Sequence, residues 1–183
     1  MFFSSNIFAE NISDFQIEGI SVGDSLLDYI SELEIQKNIR KNSYEGSDQK
    51  FYDIEIYDSS LLKTYDGLQI ALLRNDNKYI VQSIGGGIFF DSNIKKCHNK
   101  QDEIDKDLLL IFKNIEREYS PKIIHKGYTN SFLRSMRYYF DSGAELALTC
   151  YDWDNENDNV ADYLLLSMDG AEFTKWLINY YNN

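Results

Sequence analysis

Apolar positions along this chain recur with two periods, and the switch between them marks out its elements. From Leu68 to Phe90, the run LQIALLR, a polar break at Asn75-Asp76-Asn77, KYIVQSI, the run Gly85-Gly86-Gly87 and IFF read as an antiparallel hairpin at the centre of the molecule. Leu68, Ile70 and Leu72 share one face of its first arm, so one side of the sheet is expected to lie under helices. Tyr52, Ile54 and Ile56 alternate with Asp53 and Glu55, which predicts a half-buried strand over Phe51 to Tyr57. Met136 to Phe140 and Ala144 to Asp152 flank Asp141-Ser142-Gly143 and predict a second hairpin, with Leu146, Leu148 and Cys150 on one face. Asp162 to Ser167 reads as a last strand, and Phe15, Ile17 and Ile20 as a short edge strand or an extended lead-in.

Helical spacing replaces alternation in three places. Leu26, Leu27, Ile30 and Leu33 behind Asp24 predict a helix from Ser25 to about Ile35. Ile104, Leu108, Ile111, Phe112 and Ile115 predict another from Lys100 to about Ile115, with Asn99 as N-cap and Asp102 and Glu103 in the first turn. Phe173, Trp176, Leu177 and Tyr180 follow Asp169 and Glu172 at capping-box spacing and predict a C-terminal helix packed on the sheet. Lys122 to Arg134, after the single proline Pro121, reads as a basic, irregular link. The expected fold is a single α+β domain over residues 10–183: an antiparallel sheet of hairpins with about three helices packed mainly on one face. The two helix-then-strand halves share no motif at a fixed period, so they are not read as a tandem repeat.

Composition sets limits on this picture. With 183 residues and 43% hydrophobic content the chain can bury a substantial core, and its length favours one domain. A net charge of -12 argues against nucleic acid and anionic lipid surfaces as partners. No apolar run reaches membrane-spanning length. Residues 1–9, MFFSSNIFA, are apolar and Ser-rich and end in Ala9 before a polar stretch, so they read as a signal-peptide remnant lacking its charged leading region, although Ile7 stands where a small residue is usual. The alternative is an ordinary N-terminal strand. On the first reading the protein is periplasmic or secreted, and its two cysteines should pair. Cys150 is expected to face the helical layer and Cys97 lies just before the helix expected to form it, which predicts a Cys97–Cys150 disulfide.

Several residue groups invite a chemical reading. Gly23-Asp24-Ser25-Leu26 resembles the nucleophile block of GDSL esterases, and that resemblance implies a serine hydrolase attacking esters through Ser25. The partner blocks are missing: Lys95 and Lys122 stand three residues before His98 and His125, where an Asp would orient the base, and Asn75-Asp76 follows Leu73-Arg74 without the glycine of the oxyanion block. Helix capping accounts for the same four letters. Asp152, Asp154, Glu156 and Asp158 alternate as at the start of a calcium loop, yet Asn157 and Tyr163 replace its turn glycine and closing glutamate, and a solvated acidic hairpin loop is the alternative. Gly85-Gly86-Gly87 runs on into strand, which favours a bulge or close backbone approach over a phosphate cradle. Two histidines and two cysteines lack zinc-site spacing, and no cofactor is implied. Tyr138, Tyr139, Tyr151 and Trp153 read either as half-buried sheet residues or as an aromatic platform for a sugar or aromatic ligand.

The succession IEGISVGDSLLDYI, IGGGIFF, IKKCHNKQDEIDKDLLLIFKN, LTCYDWD and AEFTKWL is similar to an uncharacterised group of small secreted proteins of marine bacteria with small genomes. That similarity implies export and an α+β body. The glycine-led helix at 19 to 35 followed by strands resembles the small outer-membrane lipoprotein A fold of envelope assembly factors, although this N-terminus lacks the lipid-attachment cysteine. The expectation is a non-catalytic envelope protein that binds another protein or a small ligand; the alternative is a GDSL-type serine hydrolase.

Overall fold

A computed structural model describes residues 11–182 except 42, 45–48, 113, 126, 127, 129 and 154–159. Seven strands form one sheet: β1 (Phe51–Ile56), β2 (Gly67–Leu73), β3 (Val81–Phe89), β4 (Glu116–Ile124), β5 (Phe132–Tyr139), β6 (Glu145–Asp152) and β7 (Tyr163–Asp169). Their order is β1-β2-β3-β7-β6-β5-β4, with every pairing antiparallel. Two meanders therefore meet where β3 pairs with β7. The helices α1 (Glu32–Lys37), α2 (Ile94–Ile111) and α3 (Ala171–Asn182) complete the α+β architecture.

Strand alternation sorts the side chains into two faces. Ile54, Ile56, Leu68, Ile70, Leu72, Ile84, Leu146, Leu148, Leu164 and Leu166 belong to one buried cluster with Cys97, Ile104 and Leu108 of α2. Ile17, Ile20, Leu26, Ile30 and Ile35, from the segment before β1, join the same core. The expected central hairpin is present as β2 and β3, with Ile70 opposite Ile84.

The expectation that the helices pack mainly on one face is corrected by α3. Phe173 packs against Phe51 and Ala71, which form a second cluster on the opposite side of the sheet. At this corner β1 and β2 carry apolar residues on both faces, so the second patch also has to be covered. Asp169 does not cap α3: it ends β7, and its carboxylate accepts the Ser83 hydroxyl proton at 2.5 Å.

Other boundaries move for identifiable reasons. α2 starts earlier than its apolar spacing implies, with Asn93 Oδ1 accepting the Lys96 N–H, because its buried stripe continues through Cys97, Gln101 and Asp105. The helix expected from Ser25 splits into a 3-10 turn, Leu26–Asp28, and α1, since Leu26, Ile30 and Ile35 are buried while Leu27 and Leu33 face solvent. The link expected at Lys122 to Arg134 instead belongs partly to β4 and β5, with Pro121 at a register irregularity of an edge strand, where no neighbour needs its missing N–H. Ile17 and Ile20 bridge only each other and form no named strand. Residues 1–9, read as a signal-peptide remnant, lie outside the described residues.

Candidate functional site

The face opposite α2 carries two cross-strand rows of different chemistry. In the first, the register places Asp53, Ala71, Ser83, Asp169, Glu145 and Tyr139 side by side from β1 to β5. Asp53, Asp169 and Glu145 are all buried. Tyr44 Oη and Gln69 Nε2 donate to the Asp53 carboxylate at 2.8 and 3.1 Å, and Glu145 forms an ion pair with Arg137. Burial pushes the Asp169 carboxyl up to about 7, against the Ser83 hydrogen bond and with the neighbouring Glu145 adding to the rise. Glu145 is raised by burial, with Arg137 opposing.

The second row is aromatic. Phe89, Tyr163 and Tyr151 are register partners across β3, β7 and β6. The Tyr151 and Tyr163 rings stack with centroids 4.4 Å apart and planes within 10°. Trp153 continues the row beside Tyr151 and meets Tyr128 and His125, while Tyr57 lies beside Phe89 at the other end. Gly67 makes room for the Tyr57 ring: a Cβ there would lie 2.5 Å from Tyr57 Cε1. Between the two rows the sheet floor carries Gly87, Leu165 and Thr149 in one register line and Gly85, Ser167 and Ala147 in the next, with the Leu165 side chain lying against Gly85.

Arg40 and Glu55 pair at 3.2 Å on the β1 side of this floor, and Arg137 reaches it from β5. Burial raises the Tyr163 phenol, and Tyr151, Tyr57, Arg40 and Glu55 all act on it. Tyr151 is pushed up to about 12 by burial, with Tyr181, Arg137 and Asp169 also in reach. The hydroxyls of Tyr57, Tyr151 and Tyr163 have no hydrogen-bond partner among the described residues.

The residues singled out from sequence are dispersed. Ser25 Oγ donates to the Lys78 carbonyl at 2.7 Å, and Ser25 bridges Ile80 just before β3 begins. Both histidines belong to the other end of the sheet: His125 meets Tyr151 and Trp153, and His98 lies in reach of Asp152 and Asp162. The nine residues of β3 separate these ends by roughly 26 Å, so Ser25 has no imidazole to activate it. Of the acidic loop, Asp152 ends β6 opposite Phe132, while Asp154, Glu156 and Asp158 lie outside the described residues. Among the described residues no group of three or more His, Cys, Asp or Glu side chains is placed to hold a metal ion. The expected disulfide is present, with Cys97 of α2 joined to Cys150 of β6 across a Cα separation of 6.0 Å.

The four aromatics read as one group divide between the faces. Tyr138 is buried on the α2 side, where its hydroxyl donates to Asp105 Oδ1 at 2.6 Å, and Tyr139 donates to Glu118. Tyr151 and Trp153 do stand together, joined by Tyr57, Phe89 and Tyr163, which sequence reasoning missed because their adjacency depends on strand order. The glycine run marks close approach rather than a bulge: the register irregularity falls between Ala71 and Leu72, whereas a Cβ on Gly86 would sit 2.6 Å from the Tyr65 ring. No helix among the described residues is long and apolar enough to cross a membrane. Comparison with protein-family models, curated proteins and solved structures found no match.

Proposed function

We propose that this chain is a non-catalytic binding or interaction protein of the cell envelope, exported to an oxidising compartment, with the face opposite α2 as its binding surface. The observation that carries this reading is the Cys97–Cys150 bond, which staples α2 to the centre of the sheet inside the main core. Such a bond persists outside the cytoplasm and is rare within it. With α2 anchored to one face, the other face presents the aromatic row and the ion pairs beside it, on rigid strands rather than on loops. Ser25 supports this reading through its structural role, since its hydroxyl proton goes to a backbone carbonyl.

Two measurements test the proposal. Fractionation of the native host should place the protein outside the cytoplasm with no titratable thiol; recovery from the cytoplasm with two free thiols would sink the export half. A serine-directed fluorophosphonate should leave the protein unlabelled, and stoichiometric labelling that disappears in Ser25→Ala would replace the binding reading with a GDSL-type hydrolase.

A further inference from the structure

Resting on that reading, we infer that the tyrosine-lined floor between the aromatic row and α3 binds a neutral, polyhydroxylated ligand of the short-oligosaccharide class. The inference starts from the three unpartnered phenols. A phenol hydroxyl both donates and accepts, as does each hydroxyl of a sugar. Tyr57, Tyr151 and Tyr163 place three such groups on one face without a partner among the described residues. Because Tyr151 and Tyr163 stack on each other, their ring faces are largely occupied and their edges are what a ligand meets. Apolar contact comes from Tyr57 and Phe89, which are 51% and 42% exposed. At the far end of the row, Trp153 Nε1 is buried with no hydrogen-bond partner among the described residues.

The surrounding charges narrow the ligand class. Arg40 and Arg137 are each matched by a glutamate, Glu55 and Glu145, so an anion entering here finds no unbalanced cation. The overall charge of -12 opposes an anion further. A cationic ligand likewise finds Glu55 and Glu145 already matched by Arg40 and Arg137. An alkyl chain would cover the phenol oxygens and leave them without hydrogen-bond partners. A ligand that is uncharged and rich in hydroxyls satisfies every group, and ion pairs beside phenols present adjacent donors and acceptors to vicinal hydroxyls.

The test is isothermal titration of the purified, oxidised chain with neutral di- to tetrasaccharides built from glucose, galactose, mannose and N-acetylglucosamine. At least one is expected to bind saturably. Tyr151→Phe and Tyr163→Phe, which keep the rings, should each weaken that binding about two- to tenfold. Gly87→Val should abolish it by raising the floor, since a Cβ there meets only backbone, nothing nearer than 3.9 Å. Tyr119→Phe, at the β4 edge of the other face, should bind as the parent does. Circular dichroism confirms folding of each variant; if Gly87→Val does not fold, the two phenylalanine variants decide. The proposal is overturned if no neutral sugar binds, if only anionic sugars bind, or if both phenylalanine variants bind unchanged. Hydrolysis of a bound sugar would instead overturn the non-catalytic reading and leave the site standing, and a cytoplasmic location would overturn export alone.

Discussion

Asp169 and Glu145 are direct register partners across β7 and β6, and both carboxyls are buried. Like charges placed opposite each other in a sheet repel, and burial penalises both. Arg137 neutralises Glu145, and Ser83 supplies a hydrogen bond to Asp169. One cation for two acids leaves Asp169 holding its proton to about pH 7.

A pH dependence of stability follows from that pair. The Asp169 carboxyl is raised on folding, so its contribution is fully present below about pH 4, its unfolded range, and is lost as pH rises through about 7. Asp169→Asn keeps an acceptor for Ser83 and removes the titration. Thermal unfolding from pH 4 to pH 8 should show the variant gaining on the parent by up to about 1.4 kcal/mol per pH unit. Parallel curves across that range would show that Asp169 is already ionised in the folded protein.

The disulfide spans 53 residues, which on the chain-entropy model stabilises the fold by about 4 kcal/mol. The double variant Cys97→Ala with Cys150→Ala should lose that order of stability in urea unfolding, with little change in near-ultraviolet dichroism. Reduction of the unfolded parent should add the mass of two hydrogens. An unchanged mass means the bond does not form.

Asp105 joins α2 to the sheet by accepting from Tyr138 Oη at 2.6 Å and from both Arg117 Nε and Nη2, at 3.0 and 2.7 Å. Asp105→Ala leaves a partly buried guanidinium and a buried phenol without their acceptor, so a loss of about 3 kcal/mol is expected in denaturant unfolding. Asp105→Asn, which retains one acceptor oxygen, should lose less. Equal losses would assign the effect to packing.

Gly86→Ala drives a methyl group into the Tyr65 ring, whose nearest atom would lie 2.6 Å away. A cost of about 1–3 kcal/mol is expected from the overpacking. Trimming the neighbour should relieve it: in a double-mutant cycle with Tyr65→Leu the Gly86→Ala penalty should shrink markedly. An undiminished penalty would place the strain in the backbone instead.

Most elements and the content of the main core follow from local period, because period-2 and period-3.6 patterns encode which side of an element is dry. Leu68, Ile70 and Leu72, Leu146, Leu148 and Cys150, and Phe173 with Trp176 all behave as their spacing implies. The Cys97–Cys150 bond was legible too, since the facing of Cys150 and the position of Cys97 both follow from local pattern. Where the pattern carried buried polar residues, as at Gln101 and Asp105 of α2, or exposed leucines, as at Leu27 and Leu33, boundaries shifted, because periodicity cannot register a polar side chain whose partner lies elsewhere. Strand order was decided only in three dimensions. Pairing β3 with β7 brings Phe89 beside Tyr163, and Asp169 both beside Ser83 and opposite Glu145, contacts between residues 74, 86 and 24 positions apart that no local period encodes. Alternation along β5 and β6, with Tyr138 opposite Leu146, divides Tyr138 from Tyr151. The candidate site is built from those long-range choices, which is why its residues had no common signature along the chain.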